Sequence, residues 1–456
     1  MLAFVIGSCG APESVTDPTG TWEGSIAGEG LELQLRAVFI MEGGTVTGTL
    51  DIPQQFARGL ELENFVLSGD SLSFSLPSNL GRARFMGAMS GDTLRGDFLQ
   101  GSFRGTFQLV RTSMETGPAE REGEEVTITD EDVVLAGTLT LPGGEPPYPC
   151  VILLSGSGLQ DRDEYVMGFS VFVELARLVD GAGYAVLRCD DRGTGGSIGG
   201  LESFSDSVLL HDAGLMLAHM LEDPRIDPDH IGILGHSEGS TTAFMLAAER
   251  PDDVAFVISM AGPAVPGYDL IPSQLRAILA MEGFSEEQVS DRLEAQYMIM
   301  DAALENDSTL VDSLMRAWAL EEIMALPGDA RESLGDLDAY LDRAVAASAA
   351  STLDPWFENF LTNDPAEYIR RVEVPVLCLL GELDIQVIPG TNLGPMQEFL
   401  ADNPRALVAV MEGANHLFQD AVTGSVDEYA VLEPEFTAGF RDTLTMWLEE
   451  LRNSGD

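Results

Sequence analysis

The spacing of apolar and polar positions changes near residue 125 and divides the chain into two patterns. From "GTWEGSI" to about Val110, short stretches of alternating polarity are separated by turn signals such as "EGGT", "LSGD" and "MSGD". Short strands at roughly ten-residue spacing are typical of antiparallel barrels and sandwiches. We therefore predict a small antiparallel β-domain, barrel or sandwich, over residues 18–112, followed by a polar and acidic linker over 113–124.

Beyond the linker, continuous apolar runs alternate with helix-compatible stretches. An opening hairpin is followed by the runs "YPCVILLSGSG", "GYAVLRCDDRG", "HIGILGHSEG", "VAFVISMAGP", "VPVLCLLGELD" and "RALVAVMEGANH". Strands that are buried on both faces have this pattern, and helices between them indicate a parallel sheet covered on both sides. Residues 125–456 are therefore predicted to form an α/β domain around an eight-stranded, mostly parallel sheet.

A long insertion with helical periodicity separates the predicted sixth and seventh strands, over residues 263–372. An insertion of about 100 residues is too long for an ordinary connection, so we predict a helical cap above the catalytic edge of the sheet. Methionines recur within it, and they favour either an adaptable apolar pocket or packing inside the cap: Met281, Met298, Met300, Met315 and Met324.

The segment "ILGHSEGST" contains a Gly-x-Ser-x-Gly motif centred on Ser237. A bare motif of this kind is often accidental, so its context decides. A nucleophilic serine needs a buried strand before it, a helix after it, and small neighbours that allow a sharp turn. The run "HIGILG" precedes the motif, and the helix-compatible "STTAFMLAAERP" follows it. Ser237 is therefore predicted to be a nucleophile.

A serine nucleophile needs a histidine base and an acid that orients this base. Of the five histidines, only His416 directly follows a predicted strand, in "MEGANHLF", where catalytic groups of parallel sheets gather. His211 and His219 share one helix, His230 precedes its strand, and His236 is expected to point away from the turn. The acid should follow the seventh strand; we favour Asp384, with Glu382 as the alternative.

The oxyanion of a tetrahedral intermediate needs N–H donors. One is predicted to be the backbone N–H of Glu238, at the start of the helix after the serine. The other is expected in "LLSGSGLQDRDE", where Gly156 and Gly158 allow the backbone to approach and the Ser157 N–H is the favoured donor. A plain turn is the alternative interpretation of this loop.

Composition changes the picture mainly through charge. The 456 residues include 75 acidic and 24 basic ones, with a formal charge of −51 and no lysine. A protein this negative is not expected to bind nucleic acid or anionic membrane surfaces. Because added salt screens its self-repulsion, we predict an acidic, salt-tolerant protein of halophilic type. The same charge favours neutral over anionic small-molecule substrates.

The N-terminal segment carries an export signal in its pattern. "MLAFVIGSC" is an apolar run too short to span a bilayer, and its residues 6–9 resemble a bacterial lipobox that ends at Cys9. Residues 1–17 are therefore predicted to be a signal and linker, with export to the periplasm or cell envelope and membrane attachment only through lipidated Cys9. Secretory cleavage without lipidation is the alternative. The other cysteines are expected to be buried thiols: Cys150, Cys189 and Cys378.

Five motifs in order carry a family resemblance: "SGSGLQDRDE", "DDRGTGGS", "GHSEG", "LDPWFENFLTNDPAEYIRRVEVPVLCLLGELDIQV" and "GANH". With them, residues 125–456 resemble α/β-hydrolases, specifically serine esterases and acyl hydrolases related to the prolyl-oligopeptidase-like group. The N-terminal strands are similar to a β-domain that often precedes such exported hydrolases. The resemblance implies ester hydrolysis without a metal or organic cofactor. Where family members have "HG" in the oxyanion loop, this chain has Ser155, and "DDRGTGGS" is expected to be a structural turn.

These observations predict an exported serine carboxylesterase that acts on small ester substrates through an acyl-enzyme on Ser237. A peptidase would use the same triad, but the β-domain is too short for the propeller of large oligopeptidases. A binding protein on an inactive hydrolase scaffold is disfavoured, because serine, acid and histidine are all present in the expected order.

Overall fold

The computed structural model describes residues 17–28, 31–42, 45–52, 57–76, 82–100, 103–111, 123–200, 206–325, 331 and 337–454. The predicted signal segment with Cys9, and residues 113–122 of the predicted linker, lie outside these ranges. In the described part of the chain, no helix combines the length and apolarity needed to cross a membrane.

By its contacts the chain divides into two compact units. One comprises Met1–Glu120 with Ala319–Ala346, and the other comprises Arg121–Trp318 with Ala347–Asp456. The predicted cap, residues 263–372, is thus shared between the units, and the predicted domain boundaries stay predictions.

Within the described residues of the N-terminal region, nine antiparallel strands form one sheet in the order β4-β3-β2-β1-β9-β8-β7-β6-β5. The strands are β1 (Gly20–Gly28), β2 (Leu31–Glu42), β3 (Thr45–Ile52), β4 (Ala57–Glu61), β5 (Glu63–Ser68), β6 (Ser71–Leu76), β7 (Ala83–Ser90), β8 (Thr93–Gln100) and β9 (Phe103–Arg111).

Alternation of side chains places the core on one face of this sheet. In β7, Ala83, Phe85 and Met89 are buried while their neighbours in the strand point outward. The core is rich in aromatic rings, and the Phe85 ring stacks on Phe74 at 4.7 Å. The Leu62 N–H donates to the Gly48 carbonyl at 2.9 Å and so extends the β3–β4 pairing by one residue. The end strands β4 and β5 are consecutive in the chain, with only Leu62 between them, and this favours the barrel over the sandwich.

In the described part of residues 123–411, eight strands form a second sheet in the order β10-β11-β15-β12-β16-β17-β18-β19. The pairs β10–β11 and β11–β15 are antiparallel, and all the other neighbouring pairs in this order are parallel. The strands are β10 (Glu124–Asp130), β11 (Val133–Thr140), β12 (Tyr148–Leu154), β15 (Ala185–Cys189), β16 (Ile226–His236), β17 (Phe256–Met260), β18 (Val376–Gly381) and β19 (Ala406–Met411); β13 (Tyr165–Val166) and β14 (Phe169–Ser170) form a separate hairpin.

Both faces of the second sheet are covered. In β12, Cys150 and Ile152 face one hydrophobic core while Val151 and Leu153 face another. The helices are α1 (Val171–Gly181), α2 (Asp206–Glu222), α3 (Glu238–Glu249), α4 (Gly267–Met281), α5 (Glu286–Leu304), α6 (Ser308–Ala325), α7 (Leu337–Thr352), α8 (Pro355–Thr362), α9 (Ala366–Ile369), α10 (Pro389–Phe399) and α11 (Ala438–Ser454). As predicted, the insertion after β17 is helical, from α4 to α9, and β16 is the fifth strand of this sheet along the chain.

The three described cysteines are free thiols. Cys150 and Cys378 are buried in the core, and Cys189 is half-buried. Burial raises the pKa of each thiol. They therefore behave as the small hydrophobic side chains that the sequence predicted.

Candidate active site

Ser237 occupies the turn between β16 and α3 in a strained backbone conformation. Its φ of +51° is rare for a residue other than glycine, and its N–H is anchored to the Met260 carbonyl of β17 at 2.8 Å. The motif glycines make the turn possible. A Cβ on Gly235 would lie 2.1 Å from the Gly239 carbonyl oxygen, and one on Gly239 would lie 2.3 Å from that of Leu154. The Ser237 side chain forms no capping hydrogen bond with α3, and the residue lines a pocket.

His416 and Asp384 are joined at the same edge of the sheet. Nδ1 of His416 lies 2.8 Å from Oδ2 of Asp384, and both side chains are buried. The other oxygen, Oδ1 of Asp384, accepts the backbone N–H groups of Gln386 and Val387 at 2.7 and 2.8 Å. Glu382, the alternative acid, is exposed and accepts the Gly413 N–H instead, at 2.8 Å. The geometry therefore favours Asp384 as the partner of His416.

Three of the remaining histidines lie apart from this edge. His211 and His219 are on α2, and His211 is half exposed near Asp130, at 3.3 Å. His230 lies near the start of β16 and contacts Asp227 at 3.0 Å. The sequence predicts that His230 precedes this strand, but it lies within β16, because the strand begins at Ile226.

The pocket beside Ser237 combines apolar walls with two acidic side chains. Leu270 on α4 and Phe360 on α8 come from the helical insertion, whereas Asp206 and Glu238 come from the starts of α2 and α3. None of the five methionines of the insertion lines this pocket. Met300 is fully buried, so helix packing is the better description of its role.

The two pocket acids hold protons more tightly than usual. Burial, and then the negative charge of Asp206, raise the pKa of Glu238 from 4.5 to about 7, although the Trp356 indole donates to Oε1 at 3.3 Å. Burial also raises the pKa of Asp206, which accepts the side-chain amide of Asn363 at 2.5 Å. A negatively charged ligand is therefore disfavoured in this pocket.

The predicted oxyanion donors lie on two sides of Ser237. The Glu238 N–H is at the first position of α3, where a helix N–H has no intrahelical acceptor. Ser157 is exposed and lines the same pocket. The Gly156 N–H, by contrast, is already used, because it donates to Oε1 of Glu164 at 2.7 Å. This leaves Ser157 as the better donor from the loop after β12.

The segment "DDRGTGGS" holds that loop in place. Asp191 accepts the Ser155 hydroxyl at 2.8 Å and the Gln160 N–H at 2.7 Å, and burial raises the pKa of its carboxyl to about 8. Asp190 forms a buried ion pair with Arg162 at 2.8 Å. The segment acts as the structural turn that the resemblance implied. The Ser155 hydroxyl donates to Asp191 of this turn.

His236 and Glu164 form a buried pair that the sequence analysis missed. Nδ1 of His236 lies 2.8 Å from Oε1 of Glu164, and Nε2 lies 3.2 Å from the backbone carbonyl oxygen of His416. The rings of the two histidines are 4.9 Å apart. The sequence alone predicts that the His236 side chain points away from the turn, whereas its ring contacts Glu164 and the His416 backbone. Its buried position at the end of a central strand was the available signal.

A family model described as "alpha/beta hydrolase fold" matches residues 149–421 of the 456-residue chain. The chain is 24% identical over 324 residues to Esterase EstD of Thermotoga maritima, and the match covers 70% of this chain and 66% of the esterase, just under two thirds of its length.

Solved structures are similar at low identity. A proline iminopeptidase of Mycobacterium smegmatis is 16% identical with a TM-score of 0.46, covering 73% of this chain and 100% of that one. An esterase of Pyrococcus furiosus is 15% identical with a TM-score of 0.45, covering 75% of this chain and 96% of that one.

Proposed function

Because the chain belongs to the alpha/beta hydrolase fold family and is therefore a hydrolase, we propose that it is a serine carboxylesterase that uses Ser237, His416 and Asp384. Family membership confirms the fold and the resemblance that the sequence motifs indicated. The observation that carries the proposal is a serine in a strained strand-to-helix turn, with a hydrogen-bonded histidine and aspartate at the same sheet edge. Similarity to an esterase supports an ester as the substrate.

In the acylation step, His416 takes the hydroxyl proton of Ser237 while the serine oxygen attacks the ester carbonyl carbon. Asp384 holds Nδ1–H of His416, so Nε2 is the base. The oxyanion accepts hydrogen bonds from the N–H groups of Glu238 and Ser157. The bond to the alcohol oxygen then breaks, and the alcohol leaves with the proton that His416 carried. The product is an acyl ester of Ser237.

In the deacylation step, a water molecule takes the place of the alcohol. His416 accepts one proton of the water as its oxygen attacks the acyl carbon, and the same two N–H groups stabilise the second oxyanion. Collapse breaks the bond to the oxygen of Ser237, which regains its proton from His416. The carboxylic acid is released, and the enzyme returns to its starting state.

The proposed substrates are neutral esters with short or medium acyl chains. Leu270 and Phe360 supply apolar walls for an acyl or alcohol group. Asp206 and Glu238 disfavour a carboxylate in the substrate. The net charge of −51 likewise disfavours the approach of anionic substrates.

The test is turnover of p-nitrophenyl acetate by the wild-type protein and by Ser237→Ala. We expect the variant to lose at least about 10⁴-fold in kcat, as serine hydrolases do when the nucleophile is removed. Ser313→Ala, at an exposed serine of α6, is the matched control and should keep full activity. Turnover by Ser237→Ala at the wild-type rate would refute the proposal.

A peptidase is the alternative function, and a second experiment distinguishes it from an esterase. Acyl esters and aminoacyl amides with matched side chains are compared at several chain lengths, in low and high salt. A higher kcat/KM for the amides would replace the esterase by a peptidase and leave the triad unchanged.

We also propose that the protein is exported and attached to the cell envelope through Cys9. The lipobox-like pattern of residues 6–9 supports this proposal. Fatty-acid labelling of cells that express the chain should mark the wild type and not Cys9→Ser. Equal labelling, or none in either, contradicts lipidation.

A further inference from the structure

The buried contact between Glu164 and His236 joins the loop after β12 to the end of β16, next to Ser237. Glu164 belongs to the loop after β12, where its Oε1 also accepts the Gly156 N–H at 2.7 Å. His236 is the last residue of β16, and its Nε2 reaches the His416 backbone carbonyl at 3.2 Å. One pair of side chains therefore connects the oxyanion loop with the backbone of the proposed base.

The acceptors around the His236 ring imply its protonation state. A backbone carbonyl oxygen only accepts hydrogen bonds, so Nε2 must carry a proton to bond with His416. Oε1 of Glu164 faces Nδ1 at 2.8 Å, and a carboxylate there also only accepts. A ring that donates from both nitrogens is an imidazolium. We propose that Glu164 and His236 form a charged positioning pair, which fixes the Ser157 loop and the His416 backbone relative to Ser237.

The surroundings support a cationic ring. The side chains of His236 and Glu164 are 4% and 1% exposed, so solvent screens their attraction very little. Burial by itself lowers the pKa of His236, but the Glu164 carboxylate, the His416 carbonyl and the charge of Asp384 together more than offset this, and the pKa is raised above its ordinary value. The groups around the ring are the Glu164 carboxylate, the His416 ring and carbonyl, and the nearby Asp384.

The kinetic role inferred for this pair rests on the proposed function. Its charge state, however, can be measured without any enzyme turnover. With ¹⁵N-labelled histidine, the full chain is observed by NMR, and His236→Gln assigns the signal of residue 236. We expect both ring nitrogens to be protonated at pH 7.5 and to lose a proton only well above the ordinary pKa of about 6.5. A ring with one unprotonated nitrogen at this pH would overturn the proposal.

Kinetics of Glu164→Gln test the positioning role. Glutamine keeps an oxygen for the Gly156 N–H but removes the charge that holds the second proton on His236. We expect kcat to fall about 10- to 100-fold with KM nearly unchanged, because small misplacements of reacting groups cost this much. Glu398→Gln is the matched control, since it removes an exposed carboxylate paired with Arg370.

The pH profile separates positioning from simple packing. A raised pKa means that the charged pair is present below the folded pKa and is lost as pH rises through it. The wild-type kcat should therefore decline at high pH, and this decline should move to lower pH in Glu164→Gln. A lower kcat with an unmoved alkaline limb would overturn the proposal. An inactive wild type whose His236 is nevertheless doubly protonated would refute only the esterase function.

Discussion

The two sheets of this chain bury their apolar residues in different ways. In β7 of the nine-stranded sheet, buried and exposed side chains alternate, and one aromatic core lies on one face. In β12 of the eight-stranded sheet, consecutive residues are buried because helices cover both faces. Antiparallel strands tolerate one solvated face, whereas parallel strands joined by helices are covered on both.

The difference extends to where the proposed catalytic residues lie. The carboxyl ends of parallel strands meet at one edge, so residues after β16, β18 and β19 gather there: Ser237, Asp384 and His416. Neighbouring strands of the antiparallel sheet run in opposite directions, and residues 18–112 contain no histidine or cysteine. The nine-stranded sheet therefore supplies only a hydrophobic core. The eight-stranded sheet supplies a core and, at the carboxyl ends of its parallel strands, an edge where polar side chains meet.

The charge of the chain follows the same division. Residues 18–112 contain 10 acidic and 7 basic residues, a difference of −3, whereas residues 125–456 contain 59 and 16, a difference of −43. The acidic excess thus belongs almost entirely to the region with the parallel sheet. We expect electrostatic repulsion, and its screening by salt, to act mainly there.

The largest expected effect tests whether the sheet edge carries the chemistry. Asp384→Asn should lower kcat about 10⁴-fold, because asparagine favours the wrong tautomer of His416. Glu382→Gln removes the other acid of the same loop and should leave kcat within a factor of about two. Steady-state hydrolysis of p-nitrophenyl acetate measures both. If Glu382→Gln lowers kcat more than Asp384→Asn does, then Glu382, and not Asp384, is the acid that orients His416.

Matched core truncations test the comparison of the sheets directly. Phe85→Ala in β7 and Phe244→Ala in α3 each remove a ring that is 1% exposed, and each should cost about 3–5 kcal/mol of unfolding free energy. Only Phe244→Ala should also lower kcat, because α3 begins next to Ser237. Denaturant unfolding and ester turnover are measured on both. Equal losses of kcat would mean that the nine-stranded sheet also supports the site.

Glu238→Gln tests the acidic pocket. Burial, followed by the charge of Asp206, raises the pKa of Glu238 from 4.5 to about 7. The stability linked to this proton is present below pH 4.5 and is lost as pH rises through about 7. Glutamine should therefore raise the unfolding temperature, relative to wild type, more at pH 8 than at pH 4. Glu249→Gln, at the exposed end of the same helix, is the control for removing a carboxylate outside the pocket.

The same variant should relax the discrimination against anions. Removing one charge near the reacting ester is equivalent to about 1–2 kcal/mol, so kcat/KM for a carboxylate-bearing ester should rise about 5- to 30-fold at pH 8. A neutral ester should change little. If both esters respond alike, the charge of Glu238 does not determine selectivity.

The smallest effect concerns salt. Hydrogen exchange of the β12 segment should slow as NaCl is raised from low concentration to about 2 M, whereas that of the β7 segment should change little. If the stability of the region with the parallel sheet, residues 125–456, falls steadily over this range of NaCl concentration, the salt-tolerance prediction is contradicted.

Local sequence was sufficient to nominate the candidate site residues whose position depends only on chain direction. The motif around Ser237 needs only a strand, a turn and a helix that are adjacent along the chain. His416 could be selected because it directly follows a strand, and strand ends meet at a known edge. Asp384 and Glu382 both satisfied that rule, so only the hydrogen bond to His416 distinguished them.

The sequence by itself determined two strand patterns, their division near residue 125, the helical insertion and the chain order of serine, acid and histidine. These features repeat over neighbouring residues, where periodicity and turn chemistry are directly visible. Tertiary structure alone decided that Glu164 meets His236 and that Asp206 joins Glu238 in the pocket. Such contacts join side chains far apart in the chain, and they depend on how loops from different strands pack against one another.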